Sequence, residues 1–262
     1  MMATYLKQML IGATVLAAGV LPGAAADIYD PPVYEDPPVV IEYGGWYIRG
    51  HIGMSNQRLK ALESSLFANP AILSYGWHDK GGFDSAPLFG GGVGYKLNDY
   101  LRGDITLEYR GKSDFNALDF VTTAGGTTTN DYRAKKSEWL VLANAYADLG
   151  HFAGITPYVG AGIGASRNTI SHFRDVNVLT GGAGYAGTAS KWNLAWALHA
   201  GLAVEATERM TIDFGYSFVN LGDAKTGTFY NDDPAFDIPN DGFQFRKLIS
   251  HDLKVGVRYS LN

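Results

Sequence analysis

The sequence predicts an all-β protein, specifically an eight-stranded antiparallel up-and-down transmembrane β-barrel with short periplasmic turns and four long extracellular loops. Three observations predict it. Eight segments alternate apolar and polar residues, the connections between them alternate between long and short, and no segment after the N-terminal region is apolar for the roughly 18 residues that suggest a membrane-spanning helix. A membrane protein without such helices crosses as a closed barrel, because its backbone must hydrogen-bond internally.

The N-terminal region has the order of features found in a secretory signal peptide. A lysine precedes the apolar run of residues 9–21, and three alanines at 24–26 follow it. About 13 apolar residues are too few for a helical membrane anchor, which needs roughly 20. We therefore expect residues 1–26 to be removed by cleavage between Ala26 and Asp27.

Residues 27–44 are predicted to form a proline-rich acidic leader in front of the barrel. The pairs Pro31-Pro32 and Pro37-Pro38 favour an extended polyproline II backbone, and every charge in this stretch is acidic. The leader serves either as a spacer or as a binding tail, and we expect the spacer. The barrel is then predicted over residues 45–262.

Each predicted strand is about ten residues long, which is the length of a tilted strand that crosses a bilayer. The clearest is 101–109, where apolar residues alternate with Arg102, Asp104, Thr106 and Glu108. A helix would distribute these polar residues around its circumference. The eight predicted strands are 46–55, 87–97, 101–109, 137–149, 157–167, 191–206, 210–218 and 248–261.

The connections between the predicted strands alternate between about 23–30 residues and a few residues. An up-and-down membrane barrel, with tight turns at one end and long loops at the other, has this pattern. A soluble lipocalin-like barrel is the alternative. Its apolar alternates would face inward around a ligand, and its polar alternates would face water.

Charged residues of both signs occur on the polar face of nearly every predicted strand. Facing lipid, each basic residue would cost about 2–4 kcal/mol at the membrane midplane, whereas a closed barrel can pair the charges inside. The interior of an eight-stranded barrel is just wide enough for side chains to fill it, so we expect a plug relieved by glycines rather than an open channel. The predicted lumen network is Arg49, Lys96, Arg102, Asp104, Glu108, Glu138, Asp148, Glu205, Asp213, Asp252, Lys254 and Arg258.

Aromatic residues occur at both ends of the predicted apolar faces, as in the interfacial girdles of membrane barrels. The predicted loop-side girdle is Tyr109, Trp139, Trp192 and Phe218, and the predicted turn-side girdle is Trp46, Tyr95 and Tyr259.

The composition excludes several classes of function. The chain has no cysteine, so it has no disulfide, thiolate metal site or lipoprotein anchor. Its formal net charge of −5 gives no basic field for nucleic acid.

Histidines and carboxylates are the remaining candidates for chemistry. None of the six histidines shows the spacing of a zinc site, and we expect His51 and His199 to point inward as structural residues. Carboxylates such as Asp104 and Asp213 could form an acid–base pair, but no nucleophile with an oriented base accompanies them. We therefore expect no enzyme activity, no catalytic or metal-binding residue and no cofactor.

Aromatic residues are also frequent in the predicted long loops. They either cap the barrel mouth and extend the strands, which we favour, or anchor a partner protein. With their apolar neighbours they are Leu66, Phe67, Tyr75, Trp77, Phe115, Phe120, His172, Phe173, Phe229, Tyr230, Phe236, Phe243 and Phe245.

Several segments resemble a known family. YGGWYIRGHIG (43–53), FGGGVGY (89–95), LRGDITLEYR (101–110), TPYVGAGIG (156–164) and HDLKVGVRYSL (251–261) resemble the opacity-protein-like and OmpA/OmpX-type eight-stranded outer-membrane barrels of Gram-negative bacteria. The resemblance implies a role in envelope integrity, surface antigenicity and, in some members, adhesion or haem binding. It implies no enzyme activity.

Two classes of function therefore remain open. The first is a structural and surface-interaction barrel that displays its loops, and the second is a narrow porin-like pore for ions or small solutes. A haem-binding or lipid-modifying barrel is a weaker alternative. The expected partners are outer-membrane lipids and lipopolysaccharide, the outer-membrane insertion machinery and, through the loops, host surface molecules; we expect a monomer.

Overall fold

The computed structural model describes residues 44–234 and 240–261. The predicted signal peptide with its cleavage site between Ala26 and Asp27, residues 27–43 of the predicted leader, and Phe236 lie outside the described residues. Among the residues described, none belongs to a helix long and apolar enough to cross a membrane.

The described chain is all-β, with one short 3₁₀ helix. The strands are β1 (Gly45–Arg58), β2 (Ala61–Ser64), β3 (Ile72–Phe83), β4 (Ala86–Lys96), β5 (Leu101–Thr123), β6 (Gly126–Thr128), β7 (Asn130–Asp148), β8 (Ile155–Asn177), β9 (Ala183–Ala186), β10 (Ala189–Glu205), β11 (Met210–Lys225), β12 (Phe229–Asn231) and β13 (Phe243–Ser260), and the 3₁₀ helix is Ser65–Ala68.

Eight strands form a closed antiparallel ring in the order β1, β4, β5, β7, β8, β10, β11, β13. Strand β13 pairs with β1 from Tyr47 opposite Ser260 to Arg58 opposite Ile249, which closes the ring. Each ring strand therefore pairs with the ring strands before and after it in the chain. The other five strands, β2, β3, β6, β9 and β12, pair with ring strands or with each other at the loop-side end.

The predicted strands match the ring strands well at their turn-side ends and poorly at their loop-side ends. Strand β4 ends at Lys96 and β5 begins at Leu101, as expected. However, β5 continues to Thr123, fourteen residues past its predicted end, and β7 begins at Asn130 rather than at residue 137. The predicted loops at 110–136 and 168–190 are therefore wrong in part, because much of each is strand.

The strand extensions were not predicted, because the apolar residues move from the outer surface of the barrel to its interior along the same strand. In the lower part of β5, Leu107 is exposed on the outer wall, whereas Phe115 and Ala117 in the upper part are buried inside. A β-bulge between Arg110 and Ser113 shifts the register, so the odd-numbered residues that point outward below it point inward above it. The upper barrel thus has an apolar interior and a polar outer surface, the opposite of the lower barrel.

The barrel interior has three zones along its axis. The turn-side end holds a polar vestibule of about 710 Å³, lined by Tyr47, Asp148 and Arg258 among others. Buried charged residues fill the middle of the barrel. The loop-side end contains the largest apolar cluster, which includes Phe115, Phe173, Phe243, Phe245 and Leu248.

Inward-facing glycines make room for the charged zone. A Cβ at Gly164 would overlap the backbone carbonyl oxygen of Val141 on the neighbouring strand. Gly94 and Gly160 face the rings of Tyr47 and Tyr146, which would collide with any side chain there. The glycine-rich segments of β4 and β8 thus accommodate large inward-pointing side chains from their neighbours.

Candidate functional site

The centre of the barrel is organised by Arg110, which comes from β5. Its guanidinium donates to Glu138 Oε1 at 2.5 Å, to Asp252 Oδ2 at 2.5 Å and to Glu108 Oε2 at 3.1 Å. The side chains of Arg110, Glu138 and Asp252 are completely shielded from solvent. Three carboxylates from β5, β7 and β13 thus share one buried cation.

Two lysines complete this central group. Lys136 Nζ donates to Gln57 Oε1 at 2.6 Å and contacts Glu138, and its side chain is fully buried. Lys254 Nζ donates to Glu108 Oε1 at 2.5 Å. With Arg110, the two lysines provide three cations for the three carboxylates, so the buried charges balance in number.

A second group of ion pairs lies between the centre and the turn-side vestibule. Arg49 donates to Asp104 Oδ2 at 2.8 Å, and the Tyr47 hydroxyl donates to the same oxygen at 3.1 Å. Arg258 Nε donates to Asp213 Oδ2 at 2.8 Å. These pairs link β1 to β5 and β13 to β11 through the lumen.

Arg102 contacts two aromatic rings as well as a carboxylate. Its Nε donates to Asp148 Oδ1 at 3.2 Å. Its guanidinium carbon lies 4.1 Å from the ring centroid of Tyr146 and 4.8 Å from that of Tyr158. A desolvated cation between aromatic rings gains cation–π energy, which compensates for the two guanidinium nitrogens that have no hydrogen-bond acceptor.

Polar side chains, two histidines among them, fill the space between the two charged groups. His199 lies 2.8 Å from Ser217 Oγ through Nδ1 and 3.1 Å from Asn144 Oδ1 through Nε2, while His51 Nε2 lies 3.0 Å from Glu108 Oε1. The cavity among these residues has a volume of only about 20 Å³, enough for about one water molecule. Both histidines point inward, and side chains fill this part of the lumen.

The structure brings ten of the twelve residues of the predicted lumen network into the barrel interior. The other two, Lys96 and Glu205, have the inward alternation but are the last residues of β4 and β10, where the barrel opens to solvent. Lys96 pairs with Asp99 at 2.9 Å, and Glu205 lies 3.9 Å from His151 on the exposed rim. Both residues line the turn-side vestibule, but neither takes part in the central ion pairs.

Sequence reasoning missed Arg110 and Lys136, two of the most buried residues in the network. Both were placed in a connection, because the apolar outer face ends at Tyr109 and begins again at Trp139. A signal was nevertheless present, since Arg110 and Lys136 each lie two residues from a predicted inward glutamate. Extending the alternation of charges past the end of the apolar face would have found them.

The outer wall carries the predicted girdle aromatics. Trp46, Tyr95 and Tyr259 are exposed near the turn-side end, and the rings of Trp46 and Tyr95 are 5.3 Å apart. Near the loop-side end, Trp139 and Trp192 are exposed, whereas Tyr109 and Phe218 are half-buried. All seven are placed on the outer wall, and their role as interfacial anchors remains a prediction.

Most of the aromatic residues predicted in loops pack inside the loop-side end. The ring centroids of Phe173 and Phe243 are 4.4 Å apart, and those of Phe115 and Phe245 are 5.0 Å apart. Phe229 joins this cluster, and Leu66, Phe67 and Trp77 pack against it. The favoured interpretation, in which these residues cap the mouth, therefore describes most of the set, while Tyr75, His172 and Tyr230 are exposed and Phe120 is half-buried.

An acidic cavity lies beside the aromatic cluster. It has a volume of about 540 Å³, and Asp175, Asn177 and Asp232 are among its lining residues. Burial, followed by the carboxylates of Asp119 and Asp131, raises the pKa of Asp175 from 3.8 to about 7. Among the described residues, no group of three or more histidines or carboxylates is arranged to hold a metal ion.

Comparisons with known proteins agree with this architecture. A family model described as "Outer membrane protein beta-barrel domain" matches residues 13–260. An uncharacterized protein of Brucella abortus is 33% identical over 235 residues, covering 80% of each chain. Outer membrane protein PagN of Salmonella typhimurium is 26% identical and covers 82% of this chain and 90% of its own. A putative adhesin of Rickettsia prowazekii is 25% identical and covers 82% of this chain and 87% of its own.

Two solved structures are also similar to this chain at low sequence identity. OprG from Pseudomonas aeruginosa is 14% identical, with a TM-score of 0.47 and coverage of 83% of this chain and 96% of its own. Neisserial surface protein A is 17% identical, with a TM-score of 0.43 and coverage of 84% of this chain and 100% of its own.

Replacing Arg110 with leucine is expected to destabilise the barrel by about 3–5 kcal/mol, because it leaves three buried carboxylates without their shared cation. The free energy of unfolding in detergent or lipid, measured by denaturant titration, checks this. The matched control is Lys96→Ala on the exposed rim, which should stay within about 0.5 kcal/mol of wild type. Equal stability of Arg110→Leu and wild type would show that the central group is not held by this cation.

The stability of the loop-side end should fall as the pH rises from 4 to 7. Asp175 has a folded pKa of about 7, above its usual 3.8, so the folded state binds its proton more tightly than the unfolded state. The stability that the protonated carboxyl contributes is complete below about pH 4 and is lost as the pH rises through 7. The midpoint temperature of unfolding, followed over this range, should decrease less in Asp175→Asn. Asp114→Asn, at an exposed carboxylate paired with Lys135, is the control and should keep the wild-type slope.

Proposed function

Because the chain belongs to the outer-membrane β-barrel family, whose model matches residues 13–260, and resides in the outer membrane, we propose that it is a sealed barrel whose loop-side surface contacts host or environmental molecules. On this proposal its function is structural and adhesive. It neither conducts solutes nor catalyses a reaction, and it needs no cofactor.

The filled interior is the observation that carries the proposal. The Arg110 group, the Arg102 and Arg49 pairs and the aromatic cluster occupy successive levels of the lumen. A solute would have to displace buried ion pairs and then apolar rings that pack at 4.4–6.4 Å between centroids. The loop-side surface is then the largest part of the protein that can contact a partner in water.

The reversed polarity of the upper barrel supports an orientation with the long connections outside the cell. Above the bulge at Arg110, outward residues such as Asp114, Asn116 and Lys135 are polar or charged, which suits water and not lipid. The short turns would then face the periplasm. Insertion by the outer-membrane machinery, contact with lipopolysaccharide and a monomeric state belong to the same proposal.

Exposed apolar side chains on the loop-side surface are candidates for partner contact. Leu73, Val178 and Leu179 are 58–71% exposed, and Tyr185 and Tyr230, which lie opposite each other on β9 and β12, are 38% and 49% exposed. Exposed apolar groups that sit on an ordered scaffold are typical of interaction sites. Relatives named as adhesins support the same proposal.

Adhesion is expected to depend on these residues. Bacteria that display the chain should bind cultured host cells, and the double variant Leu179→Ser/Tyr230→Ser should bind roughly tenfold less well, since interface anchors commonly contribute about 1.4 kcal/mol or more. The control is Phe152→Ser, which removes a 62% exposed aromatic from a turn-side connection. Equal loss of adhesion in both variants, at equal surface levels, would contradict the proposed surface.

The sealed lumen predicts that the purified barrel is silent in planar-bilayer recordings, because ion pairs and aromatic rings block the path. Arg102→Ala, which removes one cation from the lumen, and Lys96→Ala, on the exposed rim, provide the comparison. Reproducible current steps in wild type that change with Arg102→Ala and not with Lys96→Ala would identify the narrow pore instead.

A further inference from the structure

The outer wall contains an apolar groove of about 740 Å³, within the usual range of about 300–1,000 Å³ for small-molecule sites. Its floor is formed by Gly50 on β1 and Gly91 on β4, which lie opposite each other and have no side chains. Val257 and Leu107 flank these glycines on the adjacent strands. The groove therefore exists because two neighbouring outward positions in the apolar band are glycines.

An aromatic row closes the loop-side end of the groove. Phe89, Tyr109 and Trp139 lie side by side on β4, β5 and β7, and their neighbouring ring centroids are 5.4 and 4.8 Å apart. All three line the groove. The row marks the level at which the outer wall changes from apolar to polar.

The same row continues with an unpaired cation. Arg167 on β8 lies directly opposite Trp139 on one side and Trp192 on the other, and it is exposed. Among the described residues, no hydrogen bond or ion pair involves its guanidinium. Two other loop-side cations are neutralised, since Lys135 pairs with Asp114 and Lys191 with Asp223. Arg167 is thus a free positive charge at the interfacial level, next to the groove.

We propose that this groove binds a phosphorylated, multiply acylated lipid of the outer leaflet, with an acyl chain against Gly50 and Gly91 and a phosphate on Arg167. The inference rests on the proposed orientation, which puts the loop-side end of the apolar band in the outer leaflet. Lipid chains surround the groove in any case, so hydrophobicity alone gives no preference for a bound chain over a bulk chain. Selectivity comes from close packing in the groove and from the charge-assisted hydrogen bond between guanidinium and phosphate.

The positive charge of Arg167 favours a phosphorylated lipid in the groove over a second copy of the chain. A partner barrel would have to supply a carboxylate to Arg167 and a ridge to fill the groove, at the same level of the membrane. A lipid with a phosphate at the interface and a flexible chain below it provides both features in one molecule. The groove and the cation are also separated along the barrel axis in the same order as the chain and headgroup of such a lipid.

The test is native mass spectrometry of the purified, detergent-folded barrel with added bisphosphorylated lipid A. Wild type should retain lipid A at concentrations where Gly50→Leu and Arg167→Gln each bind roughly tenfold more weakly, the latter because a charge-assisted hydrogen bond is lost. A Cβ at Gly50 has no neighbouring atom closer than 4.0 Å, so leucine can fill the groove without a backbone collision. Heat-modifiable gel mobility establishes that each variant is folded.

Two matched controls accompany these variants. Ala200→Leu places a leucine at an exposed outward position on β10, away from the groove, and Arg209→Gln removes an exposed arginine at the turn-side end. Both should retain lipid A as wild type does. Dephosphorylated lipid A should bind wild type and Arg167→Gln equally weakly.

Undiminished retention of lipid A by folded Gly50→Leu would overturn the proposed groove, and undiminished retention by Arg167→Gln would overturn the proposed phosphate contact. A dimer that Gly50→Leu dissociates would assign the groove to a second copy instead. Lipid A retention is measured on purified protein and is independent of adhesion and conductance. Loss of lipid A binding would therefore leave the proposed adhesive function standing, and loss of adhesion would leave the proposed lipid site standing.

Discussion

The constraint on which this structure depends is that a chain in lipid must satisfy its own backbone hydrogen bonds. A sheet meets this requirement only when it has no free edge, and here the pairing of β13 with β1 removes the last edge. Closure also fixes where the side chains go. The side chains that point outward must tolerate lipid. Those that point inward must fill a narrow space in which charges are stable only as pairs.

On the loop side of the charged core the same ring has the opposite arrangement. Once the outer surface meets water, the stable arrangement is apolar inside and polar outside, and the bulge between Arg110 and Ser113 makes the exchange without breaking the strand. The partner strand β7 keeps its register of inward residues, from Glu138 through Lys136 to Ala134. Register shifts also occur between β7 and β8 and between β11 and β13, so several irregularities accompany the change from the charged core below to the aromatic core above.

The sequence was sufficient to predict the fold class, all eight ring strands and most of the inward charges. Residues 101–109 show why, since four apolar residues and one glycine alternate there with four polar residues. The strand extensions were not predictable in the same way, because the apolar alternates of Phe115 and Ala117 continue the pattern of Leu107 while pointing the other way. The partners in the network were also beyond prediction, because Arg110 and Asp252 are 142 residues apart and only the ring register brings them together.

The long sequence separation inside the lumen has a consequence for assembly. Lys254 and Asp252 reach Glu108 and Arg110 only when the last strand docks between β11 and the first strand. Until then Lys254 and Asp252 lack these partners, and hydrocarbon cannot accommodate an unpaired ion. The half-built barrel must therefore keep a hydrated interior while its strands enter the bilayer, and expulsion of that water coincides with the final docking step. The ion pairs between β5 and β13 therefore form only after the last strand has paired with both of its neighbours.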